Sequence, residues 1–274
     1  MFKKGFNIFT IVLIFMISSI MIACSNSNIY TYIIDESYDD FITLGTSADY
    51  APYEWPMLVD GKQTLVGIDI EIAKLIAAEL GKNLKVVNKG FDFLLDDLVN
   101  GKVDFVLAGM TPTDERAEKV DFSIVYYEAI QVVLINESMV STYTSIESLN
   151  LQNLKIGAQL GTIQQDLVNE SFPLSQKQFI QNVPDLVIRL MDGQINAVVL
   201  EEPVATGYVL NHNGLAIANF SIGDPDGGSA VAVQKGNIEL LNSINKVLNE
   251  IISTGQINQI VQNAVLLNGT KTNE

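Results

Sequence analysis

The residues best suited to bind a small anion lie in residues 108–116, where the sequence is Ala-Gly-Met-Thr-Pro-Thr-Asp-Glu-Arg. They follow an apolar run at residues 103–107 that predicts a strand. Gly109 lets the backbone approach a ligand closely, and Thr111 offers a hydroxyl and an amide. Arg116 adds planar donors that fit a carboxylate with two parallel hydrogen bonds. These residues predict an anion pocket, although Arg116 taken alone would also suit a surface ion pair.

The segment after Thr111 predicts the beginning of a helix. Thr113 is the predicted N-cap, and Asp114 and Glu115 occupy the first turn, where the helix dipole favours acids. Residues 160–162, Leu-Gly-Thr, form a second loop between a strand-like run and a helix start at residue 163. Backbone amides at that helix terminus predict a second seat for an anion, built without a charged side chain.

Strand-like and helix-like segments alternate along the chain, which predicts an α/β fold with helices on the faces of a sheet. Asp69 is the predicted cap of the first helix, and Gly81 ends it. The predicted strands are 41–45, 84–87, 103–107, 155–158, 195–199 and 231–233, and the predicted helices are 69–80, 91–98, one beginning at 163, 183–190, 238–252 and a final one that ends near 267.

An internal repeat predicts two similar lobes. When Gly193 is aligned with Gly101, the apolar positions of residues 183–190 match those of residues 91–98, and the strand at 195–199 matches that at 103–107. The first strand continues into residues 108–111 and the second into Leu-Glu-Glu-Pro. Each lobe therefore presents polar groups at the carboxyl end of a strand, where open α/β sheets bind ligands.

The first 24 residues resemble a lipoprotein signal peptide. Lys3 and Lys4 precede an apolar core at residues 8–17, and Met-Ile-Ala-Cys ends the leader at Cys24. The resemblance implies cleavage before Cys24 and a diacylglycerol, with palmitate among its acyl chains, on the sulfur. The alternative is an uncleaved anchor, but the apolar run is short for a spanning helix. Residues 25–40 are polar and acidic, which predicts a tether.

Charge and cysteine content exclude several functions. The formal net charge is -16, so the chain is a poor nucleic-acid binder. Attraction of cationic ligands and simple solubility are both compatible with this charge. Cys24 is the only cysteine, which rules out an intramolecular disulfide and a cysteine-based zinc site. We expect no metal and no cofactor.

Six phrases, taken in order, resemble the bacterial extracellular solute-binding proteins of family 3, the polar amino-acid-binding proteins of ABC importers. They are Tyr50-Ala-Pro-Tyr-Glu54, Gly67-Ile-Asp-Ile-Glu71, the whole of residues 108–116, Asp121-Phe-Ser123 with Tyr126-Tyr127, Gly161-Thr162, and Glu201-Glu-Pro-Val-Ala205. The resemblance covers residues 43–267. It implies a type II periplasmic-binding-protein-like fold of two α/β lobes, joined by two crossing strands near residues 129–135 and 226–233. Lobe 1 would comprise residues 41–129 and 226–274, and lobe 2 residues 130–225.

The resemblance also implies how the ends of an amino acid are held. Arg116 matches the arginine that clamps the ligand carboxylate, and Thr111 and Thr162 match groups that share that carboxylate or the α-ammonium. Gly109 matches a carbonyl that accepts from the ammonium. Glu201 stands where the family usually has an aspartate that pairs with the ammonium. The longer side chain leaves open whether Glu201 or Glu202 reaches the ligand, and both would otherwise suit a solvated turn.

Specificity is less well defined by the sequence. Tyr50 and Phe91 match the two rings that flank the ligand side chain, although Phe91 also suits a core position. Two aromatic faces in an acidic protein favour arginine or lysine through cation–π contacts. Ser47 stands where some basic-amino-acid binders of this family carry an acid; Glu54 could substitute for it, or the ligand could be neutral and polar.

The predicted function is therefore that of a monomeric, lipid-anchored receptor at the periplasmic or extracellular face of the cell envelope, which delivers a polar amino acid to an ABC permease. Enzymatic activity is not expected: the only histidine lies in a predicted loop, and the glycines lack the spacing of a nucleotide-binding loop. The alternatives are a dehydratase-like enzyme on the same fold, and a sensory or adhesive lipoprotein.

Overall fold

The computed structural model describes residues 28–223 and 228–269. The predicted signal peptide, Cys24, the start of the predicted tether and part of the second predicted crossing lie outside the described residues.

The described residues form short strands and helices that alternate along most of the chain. The strands are β1 (Ile29–Tyr32), β2 (Phe41–Thr46), β3 (Trp55–Val59), β4 (Lys62–Val66), β5 (Asn83–Asn88), β6 (Phe105–Val106), β7 (Val120–Phe122), β8 (Tyr127–Glu128), β9 (Gln131–Asn136), β10 (Lys155–Gln159), β11 (Gln176–Ile180), β12 (Ala197–Glu201), β13 (Leu215–Ile222), β14 (Gly228–Ser229) and β15 (Ala232–Gln234). The α-helices are α1 (Ile68–Glu79), α2 (Leu94–Val99), α3 (Asp114–Lys119), α4 (Ile146–Leu149), α5 (Ile163–Ser171), α6 (Val183–Met191), α7 (Glu202–Asn211), α8 (Ile238–Ser253) and α9 (Gln256–Gly269).

Two sheets of matching topology confirm the prediction of two similar lobes. The first has the strand order β1-β5-β2-β6-β15-β7 and the second β11-β10-β12-β9-β13. In the first, β2 lies parallel to β5 and to β6, and β15 runs antiparallel to β6 and β7. In the second, β10 lies parallel to β11 and to β12, and β9 runs antiparallel to β12 and β13. The second sheet therefore repeats five strands of the first, with β1 as an added edge. We call the first sheet with its helices lobe 1 and the second lobe 2.

The two chain segments that connect the lobes run side by side. Between them, β8 pairs antiparallel with β14, with Tyr127 opposite Ser229 and Glu128 opposite Gly228. Upstream of β8 and downstream of β14 the chain lies in lobe 1, and on their other sides it lies in lobe 2. This pairing agrees with two crossing strands, while the exact lobe boundaries stay a prediction.

Helices cover both faces of each sheet, so the central strands are buried on both sides. Along β6, Phe105 packs in one apolar cluster and Val106 in another, because successive side chains of a strand point to opposite faces. In lobe 2, Val198 and Val199 of β12 divide between two clusters in the same way. This burial explains why these strands are continuous apolar runs in the sequence.

Most predicted elements are confirmed within two or three residues, but three details differ. The predicted tether is wrong for residues 29–32: this segment forms β1, which pairs with β5, and the Tyr32 hydroxyl donates to the Leu65 carbonyl oxygen at 2.7 Å. Asp69 does not cap α1, whose N-cap is Gly67, because its carboxylate is bound elsewhere. The predicted strand 103–107 is reduced to β6, since the chain turns toward the cleft immediately afterwards.

Candidate functional site

Six of the predicted site residues line one small cavity between the lobes. Each follows the carboxyl end of a parallel strand, where the two sheets face one another. They are Tyr50, Phe91, Gly109, Thr111 and Arg116 from lobe 1 and Thr162 from lobe 2. The lobes are closed on this cavity, and side chains from both contact each other around it.

Arg116 bridges the two lobes through its guanidinium. Nη1 donates to the Thr111 carbonyl oxygen at 2.7 Å, and Nη2 donates to the Gly161 carbonyl oxygen of lobe 2 at 3.0 Å. The Cζ atom lies 5.3 Å from the centre of the Phe91 ring. Burial lowers the pKa of Arg116 to about 10, and Asp166 and Glu115 partly offset this, so the group stays charged at neutral pH.

Arg116 has donor capacity left for a ligand. A guanidinium carries five N–H groups, and its two bonds to main-chain carbonyls use only part of them. No carboxylate among the described residues forms an ion pair with it. Thr113 caps α3 as predicted, because its side chain accepts from the Arg116 backbone N–H, and this fixes the helix that carries the guanidinium.

The loop that carries Gly109 is held from behind by a buried acid. Gly109 has φ of +55°, a conformation that favours glycine, and its N–H donates to Asp69 Oδ2 at 2.8 Å. Asp69 Oδ1 accepts from the Tyr126 hydroxyl at 2.7 Å. Burial raises the pKa of Asp69 to about 6, because it outweighs both hydrogen bonds. Sequence reasoning missed this role and placed Asp69 at a helix terminus.

The second predicted anion seat is present as the N-terminus of α5. Thr162 is the N-cap: its side chain accepts from the Gln165 backbone N–H, and its hydroxyl donates to the Gln159 carbonyl oxygen at 2.8 Å. Gly161 has φ of +78°, which turns the chain sharply before the helix. The first amides of α5 therefore face the same cavity as Arg116.

Two aromatic side chains line the cavity, as the resemblance implied. Tyr50 and Phe91 are both buried, and the Tyr50 ring stacks on Tyr53 with centroids 5.6 Å apart. Phe91 also packs in an apolar cluster of lobe 1, so it serves the core and the cavity together. Packing against neighbouring side chains therefore restrains both rings.

Of the two adjacent glutamates, only Glu201 points inward. Glu201 is buried at the end of β12, and its backbone N–H lies 3.4 Å from the Tyr50 hydroxyl oxygen. Burial raises the pKa of Glu201 to about 7, and the Tyr53 hydroxyl and the Gln131 amide partly offset the rise. Glu202 is exposed in the first turn of α7. The structure does not bring Glu202 to the cleft, because the chain enters the helix there and the next side chain turns outward.

Sequence reasoning missed Gln159 and Gln164, which line the cavity, and Asp49 and Gln131, which support them from behind. Asp49 accepts from the Val183 backbone N–H at 3.0 Å and lies 3.3 Å from Gln159 Nε2. Gln164 donates to Gln131 Oε1 at 2.8 Å, and both side chains are buried. The available signals were an acid directly before Tyr50 and a glutamine ending an otherwise apolar strand.

The charges around the cavity are unequal. Arg116 provides the positive charge, whereas Asp49, Glu54, Asp69 and Glu201 are acids withdrawn from solvent, three of which (Asp49, Glu54 and Glu201) interact with Tyr50. Burial raises the pKa of Asp49 to about 6. Glu54 is fully buried beside Asp69, and neither Glu54, Glu201 nor Ser47 is among the residues that line the cavity.

Residues 28–223 and 228–269 show neither a metal-binding cluster nor a membrane-spanning helix. These residues contain no group of three or more histidine, cysteine, aspartate or glutamate side chains arranged to hold a metal ion. In the same residues, no helix is both long enough and apolar enough to cross a membrane.

Two lobes of repeated topology, closed on a small polar cavity at the strand ends, define a two-lobed binding protein for a small molecule. The chain belongs to the bacterial extracellular solute-binding proteins, family 3, whose model matches residues 42–265.

Curated and solved relatives agree with this assignment. The chain is 34% identical to the arginine-binding extracellular protein ArtP of Bacillus subtilis, over 87% of this chain and 89% of that protein. It is 38% identical to an amino acid ABC transporter substrate-binding protein from Streptococcus pneumoniae bound to L-arginine, with a TM-score of 0.80 over 82% of this chain and 93% of that one. It is also 30% identical to an ancestral amino-acid-binding protein that is a precursor of cyclohexadienyl dehydratase, with a TM-score of 0.76 over 82% and 95% of the two chains.

Proposed function

We propose that this protein captures a basic amino acid, preferably arginine, between its lobes and delivers it to an ABC permease. The observation that carries the proposal is the unequal charge of the site. One guanidinium lines the cavity, and the buried Glu201 and the half-buried Asp49 lie behind its lining, where both interact with Tyr50. An amino acid with one carboxylate and two cationic groups complements this arrangement, whereas a neutral side chain leaves the acids uncompensated.

Each end of the ligand has a group suited to it. Arg116 and the first amides of α5 take the carboxylate, and Thr111 and Thr162 add hydroxyl groups. Glu201 and the Gly109 carbonyl take the α-ammonium, and Tyr50 and Phe91 flank the side chain. Closure removes water from these contacts, which strengthens them. Because the ligand touches both lobes only when they are closed, it shifts the equilibrium toward the closed form.

The similar proteins support arginine. ArtP of Bacillus subtilis is named as an arginine-binding protein, and the Streptococcus pneumoniae protein was solved with L-arginine. A thermal-shift screen of the twenty amino acids, followed by calorimetry, tests the proposal. A ligand at a hundred times its dissociation constant adds about 2.7 kcal/mol of stability. A screen in which only neutral or acidic amino acids stabilise the protein would contradict the proposal.

An enzyme on the same fold is the second candidate. It is favoured by the likeness to the ancestral precursor of a dehydratase and by Glu201, a buried acid whose pKa of about 7 suits proton transfer. We favour binding without turnover because the curated relatives are transport proteins. Recovery of arginine and of cyclic carboxylic acids unchanged after prolonged incubation with the protein supports this choice; a new product would overturn it.

We further propose that Cys24 carries a lipid that anchors the monomeric receptor to a membrane of the cell envelope, at its periplasmic or extracellular face. The proposal rests on the leader sequence, since Cys24 lies outside the described residues. Metabolic labelling with palmitate should mark the wild-type protein, and Cys24→Ser should release an unlabelled protein that still binds its ligand. Equal labelling of both proteins would contradict the proposal.

A further inference from the structure

Asp69 links the loop at residues 108–111, which carries Gly109, to one of the two chain segments that connect the lobes. Its carboxylate accepts from the Gly109 N–H at 2.8 Å and from the Tyr126 hydroxyl at 2.7 Å, and all three residues are buried. Tyr126 directly precedes β8, one of the two paired connecting strands. Asp69 therefore fixes the loop at residues 108–111 relative to the place where the chain leaves lobe 1.

The other connecting segment holds the same loop. The Ala230 N–H donates to the Met110 carbonyl oxygen at 2.9 Å, and the Tyr126 N–H donates to the Ser229 carbonyl oxygen at 2.9 Å. Ala230 directly follows β14. The loop is thus linked to both connections, and the two hydrogen bonds that Asp69 accepts are the ones among these four that depend on a carboxylate.

A second buried acid, Glu54, lies next to Asp69, because the Asp69 N–H donates at 3.0 Å to the carbonyl oxygen of Tyr53, the residue directly before Glu54. Glu54 is completely buried, and neither of its carboxyl oxygens accepts a hydrogen bond from a donor in the described part of the chain. Two carboxylates in contact inside a protein cannot both stay charged, so the pair retains a proton. Asp69 accepts two hydrogen bonds that favour its charged form and Glu54 accepts none, which places the proton on Glu54.

The surroundings agree with a neutral Glu54. Burial raises the pKa of Glu54 well above its usual range, and Asp69 adds to the rise. The titratable groups that face Glu54 are the carboxyl groups of Asp69 of α1, Asp49 of the loop after β2 and Glu201 at the end of β12, together with the phenol hydroxyls of Tyr50 and Tyr126. No positive charge among these groups compensates an ionised Glu54.

We propose that Glu54 is a neutral carboxylic acid that donates its proton to Asp69, and that the pair positions Gly109 for the ligand. The positioning role rests on the proposed function, because it takes the Gly109 carbonyl as the acceptor for the α-ammonium. Neither acid touches the ligand in this scheme. Each acts through the next residue in the series Glu54, Asp69, Gly109.

The protonation state is tested first in the ligand-free protein. Infrared spectroscopy at neutral pH should show a protonated carboxyl band that is absent from Glu54→Gln. In amide NMR spectra, the Gly109 proton should move upfield in Asp69→Asn, because its acceptor loses the full negative charge. Absence of the band, or an unchanged Gly109 signal, would overturn the proposal whether or not the protein binds arginine.

The positioning role is tested by calorimetry with arginine. Glu54→Gln should bind as tightly as wild type from acid to alkaline pH, because its amide N–H can still donate to Asp69, whereas Glu54→Ala should bind roughly tenfold more weakly. Asp69→Asn should weaken binding by roughly tenfold to a hundredfold. The neutral amide has a single oxygen acceptor, so it cannot replace the charged carboxylate that accepts from both Gly109 and Tyr126. If Asp69→Asn fails to fold, Tyr126→Phe removes one of the two bonds more gently and should weaken binding in the same direction.

A matched control separates positioning from general loss of a buried charge. Asp97 is also a buried carboxylate of lobe 1, ion-paired with Lys89 and Lys102 away from the loop. Asp97→Asn should lower the melting temperature without weakening arginine binding. Equal losses of affinity in Asp97→Asn and Asp69→Asn, or a Glu54→Gln variant as weak as Glu54→Ala, would overturn the proposal. If the wild-type protein binds no amino acid, the proposed function is wrong. The infrared and NMR tests of the Glu54–Asp69 pair still apply, because they use the ligand-free protein.

Discussion

The carboxylate of Asp49 accepts a hydrogen bond from the backbone N–H of Val183, 3.0 Å away and 134 positions later in the sequence. Asp49 belongs to lobe 1, and Val183 is the first residue of α6 in lobe 2. The bond therefore joins the lobes across the cleft and places a negative charge at the N-terminus of a helix, where the dipole favours it. Gln159 of lobe 2 approaches the same carboxylate to 3.3 Å.

This relationship predicts that Asp49 stabilises the closed form. Asp49→Ala should weaken arginine binding roughly tenfold, because a charge-assisted hydrogen bond between the lobes is lost. In small-angle scattering with saturating arginine, Asp49→Ala should be as compact as the wild-type protein. Without arginine, Asp49→Ala should be less compact than the wild-type protein. Asp185→Ala, an exposed acid in the first turn of the same helix, is the matched control and should change neither measurement.

Arg116 is expected to be required for binding. Arg116→Ala removes the donors for the ligand carboxylate and should abolish detectable binding in calorimetry. Arg116→Lys keeps the charge but loses the planar pair of donors, so it should bind at least tenfold more weakly than wild type. The melting temperature of the empty protein should change little, since the side chain contributes two hydrogen bonds to carbonyl oxygens and one contact with the Phe91 ring, and no ion pair to another described residue. If Arg116→Lys bound arginine with wild-type affinity, the prediction that Arg116 holds the ligand carboxylate with a planar pair of donors would be contradicted.

Glu201 is expected to make stability depend on pH. Burial raises its pKa from 4.5 to about 7, so the folded protein binds more protons than the unfolded chain between those values. Stability should therefore fall as pH rises through this window, by up to about 3 kcal/mol, and level off above it.

Glu201→Gln tests this dependence. The empty variant should match wild type near pH 4.5 and melt several degrees higher than wild type at pH 8, while it binds arginine more weakly. Glu202→Gln changes an exposed neighbour and is the control for both measurements. A wild-type melting temperature that rises between pH 5 and 7 faster than that of Glu201→Gln would refute the assignment.

Substitution of Gly109, which has a left-handed backbone conformation, is expected to weaken ligand binding as well as to destabilise the fold. Gly109→Ala should cost about 1 kcal/mol of stability because alanine disfavours this region. The added Cβ would also meet the Tyr50 ring at 3.4 Å, so arginine affinity should fall. Gly101→Ala, at a positive φ of +68° away from the cleft, should cost similar stability and leave binding intact. Chemical denaturation and calorimetry on both variants check this.

Much of the fold was predictable because local patterns and the fold agree. The helix over residues 238–252 has strong apolar periodicity and forms α8, and Thr113 caps α3 where the sequence places a cap. The repeat of residues 91–107 in 183–199 corresponds to two sheets with the same strand order. The acidic segment that holds β1 was mispredicted, because an edge strand takes its stability from its partner β5 and needs no periodicity of its own.

The sequence by itself determined the alternation of strands and helices and the polar residues at the strand ends, because these depend on interactions a few residues apart and on the period of burial. Six phrases in order also identified the family. Only the tertiary structure decided which of two adjacent glutamates turns inward, that Asp69 supports Gly109 instead of capping a helix, and that Asp49 reaches the other lobe. Those outcomes depend on contacts between segments 40 to 151 residues apart, which no local pattern in the chain encodes.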